Sequence, residues 1–266
     1  MKKAGKEKKR VIYYSDELND EFSEMLIKAI PIDQNYDYGQ SGLWWNIKRF
    51  FWYRIFSMPI AWLWLKLKYR HKIVNRHALK KCPKGPLFLF ANHTNPIADA
   101  LIPTFVAFPK GVYVIVHANN VSIPGLGLKT RILGALPLPD NLGATKNFME
   151  ILKRRVSEKQ AICIYPEAHI WPYYTKIRPF TDLSFRYPIQ FKAPVYCFTN
   201  TYQKRRFSKN PRMVTYVDGP FYADENLASK EARLDLRNRV LQAMKERSLN
   251  SNVELIQYIK KEKSDD

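Results

Sequence analysis

Acidic residues are scarce: 24 Asp and Glu stand against 44 Lys and Arg in 266 residues, a formal net charge of +20. That imbalance excludes a cationic partner. It calls for a polyanion: nucleic acid, an anionic lipid surface, or a phosphorylated or CoA-bearing substrate. Cysteine is scarce too. Cys82, Cys163 and Cys197 are odd in number and far apart, which excludes a disulfide framework and a cysteine metal site and points to a reducing compartment. No apolar run reaches the roughly 20 residues that span a bilayer; the clean run 55–65 has 11. The basic start MKKAGKEKKR is not followed by an apolar stretch, so no signal peptide is expected. There is no internal repeat and no low-complexity linker.

What the chain does have is aromatic residues, 14% of the total, with Trp44, Trp45, Trp52, Trp62 and Trp64 crowded into residues 43–69. Lys48, Arg49, Arg54, Lys66 and Lys68 are interspersed with them. Clustered Trp beside cations marks a membrane interface. Pro59 is expected to divide this segment into a helical pair that lies in the interface, its cations reaching for head groups. The alternative is a buried core helix. Ahead of it, residues 1–40 read as a basic tail and a short amphipathic helix around Phe22, Met25, Leu26 and Ile30, ended by Pro31.

From residue 71 onward short apolar runs alternate with helical periodicity. Strands are expected over 86–91, 111–117, 136–138, 161–165, 195–199 and 213–217. Helices are expected over 96–108, 126–133 and 141–159, with one or two more over 227–262. This pattern predicts an α/β fold: a mixed, largely parallel sheet flanked by helices, over residues 71–266, with the membrane-interface motif over 41–70.

The stretch Phe-Ala-Asn92-His93-Thr-Asn95-Pro96-Ile-Ala-Asp99 carries the chemistry. His93 follows a strand, where α/β active sites lie. Asn95 suits an N-cap and Pro96 the first helical turn. Asp99, one turn on, can fold back to one imidazole nitrogen and leave the other as a base. No serine or cysteine nucleophile stands beside the pair, so a substrate hydroxyl is the expected attacker. Alone, a His and an Asp six apart are a common accident of sequence. Here Tyr165-Pro166-Glu167-Ala168-His169 follows another strand, with Glu167 placed to bond hydroxyls and His169 as a further titratable group. Lys176 and Arg178 are then two cations suited to a phosphate.

The order of these motifs resembles the glycerolipid acyltransferase superfamily, which includes lysophosphatidic acid and glycerol-3-phosphate acyltransferases. Asn92-His93 with Asp99 resembles its first block, and Pro124, Gly127 and Gly134 its second. Pro166-Glu167, Lys176 and Pro179-Phe180 resemble its third, and Pro194-Val195 its fourth, so that residues 73–220 are covered. The departures are five residues instead of four between His93 and Asp99, Asp140-Asn141 where the family has Asp-Arg, and Ala168-His169 where it has Gly and a small hydroxyl residue. The resemblance implies an acyl-CoA or acyl-carrier-protein donor, no metal and no cofactor, and a helical membrane-docking pair. His93 and Asp99 are then the expected catalytic residues, and Asn92, Glu167, His169, Lys176 and Arg178 the expected substrate contacts. Lys129 and Arg131 stand in reserve for phosphate. Backbone N–H groups near the first helix or the third block are expected to form the oxyanion site.

The expectation is an enzyme of phospholipid synthesis, peripheral or monotopic at the cytoplasmic face of an anionic membrane. It would acylate a lysophospholipid, foremost 1-acyl-glycerol 3-phosphate, with glycerol 3-phosphate or another lysolipid as alternatives. A nucleic-acid binder lacks any supporting motif here. A catalytically idle membrane-bound relative is the remaining reading.

Overall fold

The computed structural model describes residues 10–22, 27–39, 42–81 and 84–261. The far end of the basic tail, Met25, Leu26 and Cys82 lie outside the described residues.

The chain enters through strand β1 (Arg10–Tyr14) and later forms a helical rod over residues 43–69: α1 (Leu43–Arg49), a π-helical stretch (Phe50–Ser57) and α2 (Met58–Tyr69). Pro59 does not divide it. It follows directly on the point where the π turns give way to α turns, at Ser57–Met58. The wider π turns rotate less per residue than α turns. They bring Tyr53 onto the buried stripe of Ala61, Leu65 and Tyr69.

The main sheet holds β2 (Lys72–Val74), β3 (Leu87–Ala91), β4 (Val112–Val116), β5 (Ala135–Pro137), β6 (Ala161–Ile164), β7 (Val195–Gln203) and β8 (Arg212–Phe221). Their order is β2-β8-β7-β3-β6-β4-β5. Neighbours run parallel except β7 and β8. The connecting helices are α3 (Ala98–Ala107), α4 (Gly127–Ile132), α5 (Leu142–Ser157), α6 (Arg186–Gln190) and α7 (Ser229–Ser248). Every residue of β3 and β6 is buried, as a sheet covered on both faces requires. Phe88, Phe90, Ile162 and Ile164 face α5 and α7 through Leu152 and Val240. Leu87, Leu89, Ala161 and Cys163 face α2 and α3 through Leu65 and Ile102.

One expectation fails at the C-terminal end. The C-terminal segment is not helical throughout: after α7 it forms β9 (Ile256–Lys260), which pairs in parallel with β1. Of the amphipathic helix expected around Phe22, Met25, Leu26 and Ile30, Met25 and Leu26 lie outside the described residues; Phe22 is an irregular residue packed on Trp171 and Tyr258, and residues 27–39 bury Ile32 and Tyr38 in the core. The glycines singled out in the second block have a steric reason. A Cβ on Gly127 would lie 2.2 Å from the Val121 carbonyl oxygen, and one on Gly134, at φ +107°, would lie 2.3 Å from that of Val112.

Candidate active site

β3 ends at Ala91 in the middle of the sheet, and the chain turns into α3 over the next six residues. That turn is organised by one carboxylate. Asp99 Oδ2 accepts from the Thr94 amide (2.8 Å), the Asn95 amide (2.8 Å) and His93 Nδ1 (2.9 Å). Asp99 Oδ1 accepts from Asn200 Nδ2 at 3.1 Å. Asp99 is 1% exposed and the His93 side chain 18%. The pair is thus a fixed carboxylate behind a partly open imidazole. The bond through Nδ1–H leaves Nε2 as the basic nitrogen. Asn95 Oδ1 accepts from the Ala98 amide (2.9 Å), the capping bond expected of it, although the regular helix starts at Ala98.

Pro103, inside α3, has a specific effect. A residue at that position would donate its N–H to the carbonyl of Asp99. Proline leaves that carbonyl open, and Tyr165 Oη donates to it at 2.5 Å. The Tyr165 ring then lies 4.4 Å from the His93 ring at 22°, stacked beneath the imidazole. Tyr165 was not singled out in the sequence; its place just past β6, beside His93 just past β3, is the signal that could have found it.

Other expected substrate contacts face inward. Asn92 Nδ2 donates to the Asn200 carbonyl (3.0 Å) and its Oδ1 accepts from the Asn200 amide (2.8 Å), so Asn92 clamps the ends of β3 and β7 together. Glu167 accepts from the amides of His93 (3.2 Å) and Arg178 (3.1 Å). Arg178 donates to the carbonyls of Glu17 (3.0 Å), Glu167 (2.9 Å) and His169. Its Nε lies 3.7 Å from Glu167 Oε2, and both side chains are sealed from solvent. Contrary to expectation, then, Glu167 and Arg178 do not face an acceptor; they brace the backbone of His93 from behind. Burial raises the Glu167 pKa, and the Arg178 charge opposes that rise. Burial lowers the Arg178 pKa, with Glu167 opposing. His169 is half-exposed, and its Nδ1 meets Glu21 Oε2 at 3.0 Å. Lys176 is exposed.

Much of the backbone around the site is already engaged. The amides of His93, Thr94, Asn95, Ala98, Ala168, His169 and Ile170 all donate within the chain, so none of them is left for an oxyanion. Ala168 adopts φ 62°, the left-handed conformation that a glycine would take without strain. The loop keeps the glycine geometry although the residue differs. In the second block, Asp140 Oδ2 accepts from the Ile32 amide (2.7 Å) and Asn141 caps α5 through the Ala144 amide (2.9 Å). Arg131 donates to the Asp37 carbonyl (2.6 Å), and Lys129 is exposed.

The helical rod corrects the sequence reading in one further respect. Of the cations that interrupt its apolar run, Arg49 and Arg54 turn toward the domain, whereas Lys48 is exposed. Arg49 donates to the Val112 carbonyl (3.0 Å) and lies over Tyr113; Arg54 donates to the Pro109 carbonyl. Trp44, Trp52, Phe56, Ile60, Trp62 and Leu67 are exposed, whereas Trp45 and Trp64 are half-buried. Among the described residues no helix is long and apolar enough to cross a membrane, and no group of three or more His, Cys, Asp or Glu is placed to hold a metal ion.

No curated protein matches the chain in sequence. Among solved structures, the 1-acyl-sn-glycerophosphate (LPA) acyltransferase PlsC from Thermotoga maritima has a similar fold. The TM-score is 0.50 at 14% identity, over 71% of this chain and 75% of that one. A family model described as Acyltransferase matches residues 70–200, the span from the end of α2 into β7 that contains His93, Asp99, Glu167 and Arg178. Residues 70–200 are thus similar to the acyltransferase family, and the likeness to PlsC is one of fold.

Proposed function

We propose that this chain transfers a fatty acyl group from a thioester donor to a hydroxyl of a lysophospholipid, foremost 1-acyl-glycerol 3-phosphate, at an anionic membrane surface. The observation that carries this reading is the His93–Asp99 pair at 2.9 Å, partly open to solvent and held by four hydrogen bonds to the carboxylate.

His93 Nε2 takes the proton of the acceptor hydroxyl as its oxygen attacks the thioester carbonyl. Asp99 holds the ring and stabilises the imidazolium that forms. Collapse of the tetrahedral intermediate breaks the C–S bond, and Nε2 returns the proton to the departing sulfur. Atoms and charge balance with no metal and no covalent enzyme intermediate. The chemistry requires a thioester, and the resemblance to glycerolipid acyltransferases favours acyl-CoA or acyl-carrier protein as its carrier. Arg178 is sealed and Arg131 is bound to the Asp37 carbonyl, which leaves the exposed Lys176, with the exposed Lys129 in reserve, for the phosphate.

Docking rests on the outer face of residues 43–69. Trp44 is 81% exposed, Leu67 71% and Ile60 67%, an apolar stripe that water does not favour. Behind α2 a cleft of about 390 Å³ is lined by Met58, Trp62, Leu65, Ile73, Phe105 and Phe108 together with Lys66, His71 and Arg76, a mixed lining that suits an amphiphile with an acyl chain and an anionic group.

The test is an acceptor panel: lysophosphatidic acid, other lysolipids and glycerol 3-phosphate in vesicles, with CoA and carrier-protein thioesters, the products identified by mass spectrometry. Phosphatidic acid from lysophosphatidic acid is the expected main product. Transfer confined to glycerol 3-phosphate would replace the acceptor assignment, and no transfer to any acceptor would overturn the reading.

A further inference from the structure

The end of α2 reaches the site by a path that no spacing in the sequence shows. β8 lies between β2 and β7. Thr215 of β8 is in register with Ile73 of β2 on one side and Asn200 of β7 on the other. Thr215 Oγ1 donates to Asn200 Oδ1 at 2.6 Å, and Asn200 Nδ2 donates to Asp99 Oδ1 at 3.1 Å. On the far side, His71 Nε2 lies 2.8 Å from Thr215 Oγ1. All three residues are buried.

The chain has one direction. A hydroxyl has one proton, and that of Thr215 goes to Asn200, so Thr215 accepts from His71. Burial, aided by the charge of Lys66, pushes the His71 pKa down to about 4, so the ring is neutral and its single N–H sits on Nε2. An amide whose Oδ1 is taken by Thr215 presents only its NH₂ to Asp99. The Asn200 backbone is pinned meanwhile by both bonds to Asn92. His71 itself is anchored to α2: its amide donates to the Leu65 carbonyl (3.2 Å), and Lys66 Nζ donates to the His71 carbonyl (2.7 Å). A second tie joins the same helical turn to the same loop, from Asn95 Nδ2 to Tyr69 Oη at 2.9 Å.

We propose that His71, Thr215 and Asn200 are positioning residues for the catalytic pair, a one-way hydrogen-bond chain that aims the Asp99 carboxylate at His93 and ties its orientation to the end of the membrane-facing helix. The proposal rests on the reading of His93 and Asp99 as catalytic. None of the three residues touches the reacting atoms. They act by holding Asp99 Oδ1, so that Oδ2 stays in line with His93 Nδ1.

The experiment uses the full chain, ¹⁵N-labelled at histidine, on vesicles of phosphatidylglycerol and phosphatidylcholine. Four variants are compared with the wild type: Thr215→Val and His71→Leu, which cut the chain, and Thr215→Ser and His71→Gln, which keep a hydroxyl and an N–H donor. Acyl transfer is measured as kcat and KM, the His93 ring through its ¹⁵N and Nδ1–H resonances, and folding by thermal melting. Thr215→Val and His71→Leu are expected to lower kcat about 10-fold with KM unchanged, and to shift the His93 resonances. Thr215→Ser and His71→Gln are expected to restore both. His93 resonances and kcat unmoved in folded Thr215→Val would overturn the proposal. So would Ser and Gln variants as impaired as Val and Leu, which would make the role one of packing alone. A wild type inactive on every acceptor would sink the functional reading instead, and the His93 resonances would still decide whether the chain exists.

Discussion

Replacing Arg178 with Met should destabilise the protein severely, and most of the loss should vanish when Glu167 is neutralised as well. Both side chains are sealed, 3.7 Å apart. The pKa shifts of both are led by burial, with the partner's charge opposing. Each charge is thus held against a desolvation cost that its partner only partly offsets. Arg178→Met strands the Glu167 carboxylate and frees the three carbonyls that Arg178 now satisfies. Breaking a buried pair from one side costs about 3–5 kcal/mol, a large share of the ~5–15 kcal/mol that holds a domain together. Glu167→Gln with Arg178→Met removes the stranded charge and should lie about 2 kcal/mol or more above the single variant. The pH dependence has a defined sign. Folding raises the Glu167 pKa above its ordinary value of 4.5, so its contribution is fully present below that value and is lost as pH rises through the folded pKa. Without the opposing cation the loss steepens; in the double variant it disappears. Urea unfolding followed by circular dichroism, at intervals between about pH 4 and pH 8, reads all three. A single variant within about 1 kcal/mol of wild type, or a double variant no better than the single, would refute the reasoning.

Acid should weaken the fold through His71. Its folded pKa of about 4 lies below the ordinary 6.5, so the unfolded chain binds the proton first, and stability falls from about pH 6.5 down to about pH 4 by ~3 kcal/mol. His71→Gln should flatten that part of the urea-midpoint profile, and an unchanged slope would contradict the assignment. Ala168→Gly should stabilise by about 0.5–1 kcal/mol, because glycine takes φ 62° without Cβ strain; a lower melting temperature would count against it. Phe56→Glu with Ile60→Glu should weaken vesicle binding at least ~10-fold at unchanged melting temperature. Arg49→Ala, which loses its bond to the Val112 carbonyl, should lower the melting temperature and leave vesicle binding in place. Co-sedimentation and melting together separate the two.

Local pattern carried much of this in the sequence. The apolar runs became β3, β4, β6 and the starts of β7 and β8, because a strand buried on both faces has to be continuously apolar. His93, Asn95 and Asp99 were legible because their contacts lie within a single turn. Contacts made across the sheet were not. Asn200 and Thr215 meet only because β7 and β8 pair antiparallel in one register, and no spacing announces that. Glu167 and Arg178 look alike in sequence whether they face substrate or each other. The direction of Arg49 and Arg54 was hidden for a related reason: π turns set the phase of the rod, and the sequence pattern assumes α turns. β1 and β9 were missed because each is short and acquires a partner only from the other end of the chain.

The account stands on the basicity of one imidazole nitrogen aimed at a membrane-borne hydroxyl. It is tested most directly by single-turnover transfer of a labelled acyl group from a thioester to lysophospholipid in vesicles, comparing wild type with His93→Ala at matched vesicle-bound fractions. The predicted result is a loss of about 100- to 10,000-fold in the rate of transfer, with circular dichroism and vesicle binding unchanged. A folded, vesicle-bound His93→Ala that transfers the acyl group at the wild-type rate would contradict it.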